Sequence, residues 1–168
     1  MYSCLRPMMI SACLLVAPVA SPAERDASYI EDFSCNGGRL GLRLPLTPAG
    51  VYKLGTMVQS LPIEVQQWDG YRTTAKALRY RGLTLEIITF SNDASRYLIE
   101  TATIQHPRWK QLAPFYVGQS RAEVFRVLDV KDSTPEVEQL EFGGDGDTLR
   151  FSFRSGKLVQ VQYVCYTG

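Results

Sequence analysis

Three groups of residues in this 168-residue chain have types and spacings that could do chemistry. Gly143-Gly144-Asp145-Gly146-Asp147 sets two carboxylates two positions apart in a glycine-rich run, a donor arrangement suited to Ca²⁺. Thr148 stands where a calcium β-helix unit needs a further Asp, the run occurs once, and no Lys-Ser or Lys-Thr follows to make a phosphate loop. A hairpin turn is therefore the expectation there. His106 is the sole histidine, which excludes a two-imidazole zinc motif. Within Gln105-His106-Pro107-Arg108-Trp109 it reads as a solvated or hydrogen-bonded connector, since a general base would also need a nucleophile and an orienting carboxylate. Glu136, Glu138 and Glu141 form an acidic stretch with Asp145 and Asp147. Paired carboxylates for glycoside hydrolysis depend on separation in space, and no recognisable catalytic motif accompanies these. The expectation is a chain without catalytic residues, metal or cofactor.

Aromatic and basic residues gather elsewhere. Trp68 and Tyr71 flank Asp69-Gly70, and Arg72, Lys76, Arg79 and Arg81 follow without an intervening acid. Aromatics and arginines on one loop have the composition of an interface hot spot, although Trp68 fits core packing equally well. Trp109 reads as a plug at a junction. From Asp129 to Asp147 the balance reverses, with seven acids against Lys131 alone. The two poles are either solvated faces that offset one another or a charged surface that steers a partner.

Several features place these residues in an exported chain. Arg6 closes a short positive segment, Met8 to Ala20 is an apolar run, and Ser21-Pro22-Ala23 sets small residues before a cleavage point at Glu24. The run is too short to span a bilayer. Ile10-Ser11-Ala12-Cys13 imitates a lipoprotein signal, but the apolar stretch continues past Cys13 through Leu14, Leu15 and Val16, so anchoring there is the weaker reading. Removal of residues 1–23 leaves seventeen basic and seventeen acidic residues, a net charge of zero. A nucleic-acid partner is excluded on that balance. Cys35 and Cys165 remain, near the two ends of the mature chain, and in an oxidising compartment they form one disulfide. Location is thus periplasmic or secreted.

The elements that must carry these residues emerge from an internal repeat. At a constant offset of 73, Thr47 matches Ser120, Ala49 matches Ala122, Val51 matches Val124, Tyr52 matches Phe125 and Lys53 matches Arg126. Each segment opens a helix: Thr47 caps Pro48, and Ser120 with Glu123 makes a capping box. Alternating residues then predict strands at Leu83–Phe90 and Tyr97–Ile104, and at Leu149–Phe153 and Val159–Cys165 around a Ser155-Gly156 turn. About ten extra residues near Asp69 to Leu78 read as a loop-sized insertion. The expectation is an α+β fold of two tandem repeats, each a short helix plus an antiparallel meander, with the helices on one side of the sheet. Its parts are a segment at 24–39 with a strand, a first repeat at 40–105, a linker at 106–114 and a second repeat at 115–168.

The pattern Gly118-Gln119-Ser120-x-x-Glu123-Val124, with Leu128 near the helix end and strands after it, resembles the repeat of the β-lactamase inhibitor proteins. It is also similar to the single repeat of the lipoproteins of the outer-membrane barrel-assembly machinery. The first repeat departs from it, with Pro45 and Leu46 before Thr47 and Gly50 in place of the capping Glu. The resemblance implies helices on one side of a sheet whose open face grips another protein. The functional expectation is a non-catalytic inhibitor or immunity-type protein that binds an envelope enzyme or toxin. An envelope scaffold of the assembly-lipoprotein type is the alternative, and a small carboxylate-based cell-wall hydrolase is the third reading.

Overall fold

The computed structural model describes residues 28–30, 33–144 and 146–167. The expected export signal at 1–23, its expected cleavage point, Cys13 and Asp145 lie outside the described residues. The chain is mostly β. Its strands are β1 (Ser28–Tyr29), β2 (Met57–Trp68), β3 (Tyr71–Tyr80), β4 (Leu83–Phe90), β5 (Tyr97–Ile104), β6 (Gln139–Gly143), β7 (Thr148–Arg154) and β8 (Lys157–Val164). All lie in one sheet in the order β1-β6-β7-β8-β5-β4-β3-β2, in which β2 to β8 pair antiparallel and β1 joins β6 in parallel.

Among the described residues two short helices interrupt the strands, α1 (Pro48–Tyr52) and α2 (Arg121–Leu128). Thr47 Oγ1 accepts the Gly50 amide and Pro48 takes the first turn, where a missing N–H costs nothing. At α2 the capping box is complete: the Glu123 carboxylate accepts from the Ser120 amide at 2.8 Å, and Ser120 Oγ accepts from the Glu123 amide. The helices begin 73 positions apart, but four strands follow the first and three the second. With five and eight helical residues, the helix content is smaller than an α+β reading suggests.

The expected insertion near Asp69 to Leu78 needs correction. It is β3, the second arm of a hairpin with β2 around Asp69-Gly70, and Gly70 takes a positive φ of 80° in that turn. Periodicity hides β2 because eleven of its twelve residues are exposed, so no apolar face marks it. A second correction concerns β8. A register shift between Ser152 and Phe153 puts Leu158, not Val159, opposite Phe153 in the core.

One face of the sheet is covered. Leu78, Leu85, Ile87, Ala102, Leu149, Phe151, Val161 and Tyr163 pack there against Val51, Val124, Phe125 and Leu128 of the helices, Phe33, Cys35, Leu40 and Leu42 of the N-terminal segment, and Trp109, Leu112 and Phe115. Burying an apolar side chain of this size contributes roughly 1.5–3 kcal/mol. Trp109 sits at the end of a 3₁₀ turn (Pro107–Trp109), edge-on to Tyr80 and with its indole N–H donated to the Arg81 carbonyl at 3.0 Å. His106 caps that turn, its Nδ1 accepting from the Arg108 amide.

The Cys35–Cys165 disulfide ties the N-terminal segment to the residues after β8 across a Cα separation of 5.7 Å. Such a bond indicates an oxidising compartment. Among the described residues no helix is long and apolar enough to cross a membrane.

Candidate functional site, the uncovered face of the sheet

Strand alternation decides which side chains reach the uncovered face. Pairing registers place Trp68 and Tyr71 there, then Gln66, Thr73 and Phe90; Glu64, Ala75, Ile88 and Leu98; and Leu61, Ala77, Glu86, Thr101, Val164 and Thr148. Toward β6 the face becomes polar, with Thr103, Gln162, Arg150, Glu141, Gln160, Ser152 and Gln139. A depression of about 320 Å³ opens on this polar half, lined by Gln139, Glu141, Arg150, Ser152, Gln160 and Gln162 among others. One half of the face is therefore apolar and aromatic, and the other offers amides and hydroxyls.

Trp68 and Tyr71 close the hairpin as a cross-strand pair, with ring centroids 6.2 Å apart and planes 12° from parallel. Trp68 is 49% exposed, and its indole N–H donates to Thr73 Oγ1 at 3.1 Å, which fixes the ring's orientation. Phe90 continues the row at 6.3 Å from Tyr71, and the Arg96 guanidinium lies 4.6 Å from the Phe90 centroid. These rings form a pre-oriented aromatic row across three strands.

The basic residues expected beside this pair do not form one patch. Arg72 and Lys76 are paired with Gln67 and Pro62 on the side of the sheet that carries the helices, whereas Arg79 lies on the uncovered face and donates to Gln59 at 3.2 Å. Arg81 belongs to the turn between β3 and β4. Residues close in a strand sequence alternate between faces, which a loop reading of this segment does not anticipate.

The acidic stretch is likewise dispersed. Glu136 and Glu138 are exposed ahead of β6. Glu141 pairs with Arg150 at 2.6 Å on the uncovered face. Asp147 is buried and accepts the backbone N–H groups of Cys35 and Tyr166, each at 2.6 Å, so it braces the two chain ends around the disulfide. Among the described residues no group of three or more His, Cys, Asp or Glu is arranged to hold a metal ion.

Sequence reasoning missed Glu64, Glu86 and Glu100, which are scattered over 37 positions and meet only through strand pairing. Thr101 Oγ1 donates to Glu86 at 2.8 Å. Glu100 sits at the register shift in β5, where burial raises its pKa and the Glu86 and Glu64 carboxylates raise it further. Arg121, inside the repeat motif, was also missed as an anchor. It makes a two-pronged pair with Asp132, donates to the carbonyls of Thr134 and Val137, and stacks on Phe125 and Phe153. That one side chain holds the 129–138 loop against the core.

No family model, curated protein or solved structure matches the chain.

Proposed function

We propose that this is an exported, non-catalytic protein-binding module of the inhibitor or immunity type, acting in the periplasm or outside the cell after cleavage near Ala23. One observation carries the reading: an exposed Trp68 stacks on a half-buried Tyr71 at the end of a sheet face that no helix covers among the described residues. Exposed, pre-oriented aromatics give large contact area for little lost side-chain freedom. A sheet contributes further because its backbone fixes where each side chain stands. The common offset of the two helices and the resemblance to the β-lactamase inhibitor repeat support two related units sharing one sheet, with the open face as the gripping surface. The disulfide supports the compartment.

The test uses immobilised mature protein exposed to an envelope extract, in parallel with its Trp68→Ala and Tyr71→Ala variants. Retention of a defined partner by the native chain, lost about tenfold or more in either variant, is the expected result; that factor corresponds to about 1.4 kcal/mol, ordinary for an interface aromatic. Turnover of a cell-wall substrate without partner retention would replace this reading with a hydrolase.

A further inference from the structure

The outer edge of β2 carries a separate inference. Of the ten large hydrophobic residues exposed among those described, five lie on this strand: Val58, Leu61, Ile63, Val65 and Trp68. Edge strands are ordinarily guarded by charged side chains, yet Glu64 is the only charge between Met57 and Trp68. At the opposite edge of the sheet, β1 pairs with β6 at Phe142 and Gly143.

The symmetry of the strand identifies what fits this edge. Gln59, Leu61, Glu64 and Gln66 pair with Arg79, Ala77, Ala75 and Thr73 and so face the uncovered side, whereas Ser60 and Val65 pair with Leu78 and Thr74 and face the other. The register shift between Pro62 and Glu64 changes the phase of alternation at mid-strand. Reversing the strand about the midpoint of Pro62 and Ile63 exchanges Gln59 with Gln66, Ser60 with Val65 and Leu61 with Glu64. These three pairs each share a face, the condition for antiparallel pairing of a strand with its own copy, whereas Met57 and Trp68, separated by the further register shift at Met57–Gln59, face opposite sides, so the matched stretch is Gln59–Gln66. A strand without this phase change at its centre would meet the condition in many registers; here the bulges coincide in this one.

Charge agrees with the same register. Arg79 extends over β2 to reach Gln59, and in the reversed copy Glu64 falls diagonally beside that Gln59. Neither Arg79 nor Glu64 takes part in an ion pair among the described residues. The arrangement creates two symmetric Arg79–Glu64 contacts and a Gln59–Gln66 amide pair on each side of the axis. We propose that the β2 edge is a self-association surface at which a second copy of this chain pairs antiparallel, joining the two sheets through a twofold axis at Pro62–Ile63. Such an isologous contact closes on itself. Pro62 lacks an N–H and limits the ladder to the two flanking segments, so the contact belongs with weak, reversible interfaces below about 1,200 Å². The dimer presents both Trp68–Tyr71 pairs on one continuous face, and its existence does not depend on what those pairs bind.

Sedimentation equilibrium over a concentration series tests the contact. A monomer–dimer equilibrium is expected, with association weakened about tenfold by Glu64→Lys and by Arg79→Glu and restored when both reversals are combined. Thermal unfolding of each variant checks that these exposed substitutions leave the fold intact. Register is read independently by oxidation of a mixture of Gln59→Cys and Gln66→Cys proteins, which should cross-link to each other while neither links to itself. A chain monomeric at every concentration, a dimer indifferent to the single reversals, a double variant that stays dissociated, or equal self-linking of each cysteine variant would each overturn the proposal.

Discussion

Asp147 shows how a residue's role depends on what surrounds it. In sequence it belongs to an acidic, glycine-rich run with the donors of a calcium loop. In the structure its two oxygens receive the amides of Cys35 and Tyr166 from opposite ends of the chain. Asp147→Asn keeps the shape but turns one acceptor into a donor facing an N–H group. We expect a loss of about 2 kcal/mol in urea unfolding, the order of a charge-assisted hydrogen bond together with a stranded amide. Glu100 offers a pH test. Its folded-state pKa is raised, first by burial and then by Glu86 and Glu64, so the folded chain binds this proton more tightly than the unfolded chain does. Stability therefore declines as pH rises through the carboxylate range, and the deficit persists above the raised value. Glu100→Gln removes the ionisation. It should be more stable than the native chain at pH 7, with the advantage shrinking toward pH 3 in paired thermal unfolding curves. An advantage that grew in acid would contradict the assigned direction. None of this was readable beforehand, because Glu64, Glu86 and Glu100 meet only across paired strands.

At the scale of elements, legibility followed local chemistry. Both helix starts were readable because Thr47-Pro48 and Ser120-x-x-Glu123 satisfy orphan N–H groups within four residues of chain. Ser120→Ala should cost about 1 kcal/mol in equilibrium unfolding, the usual value of a cap, whereas Ser120→Asp should retain most of the stability. Strands with one buried face were equally readable: β4, β7 and most of β8 alternate apolar and polar residues because one side meets the core. The hairpin of β2 and β3 was not. Its first arm has no buried face, and the polar residues of its second arm look like a loop until Leu78 and Tyr80 reach the core. Reading that segment as a loop grouped Arg72, Lys76 and Arg79 as one patch, although strand alternation sends Arg79 to the opposite face.

For the whole molecule, the decisive connection is the pairing of β5 with β8, from Thr101–Val164 to Ile104–Val161, which merges the strands after each helix into one sheet. The disulfide closes a sequence separation of 130 residues around that sheet. Replacing both Cys35 and Cys165 with Ser should lower stability by about 4 kcal/mol, a loss of order expected for so long a loop, and should appear as a shifted but still single transition when fluorescence and circular dichroism are compared. Separate transitions from the two probes would mean that the halves unfold independently. The sequence by itself determined the helix caps, the half-buried strands and the cysteine pair, because each rests on chemistry between near neighbours or on there being only two thiols beyond residue 23. Tertiary structure alone decided which face each charge occupies, that Asp147 braces the segments on either side of the disulfide, and that Trp68 stands exposed and stacked on Tyr71. Those outcomes depend on strand register, and register is set by long-range packing that a shift of one residue would reverse.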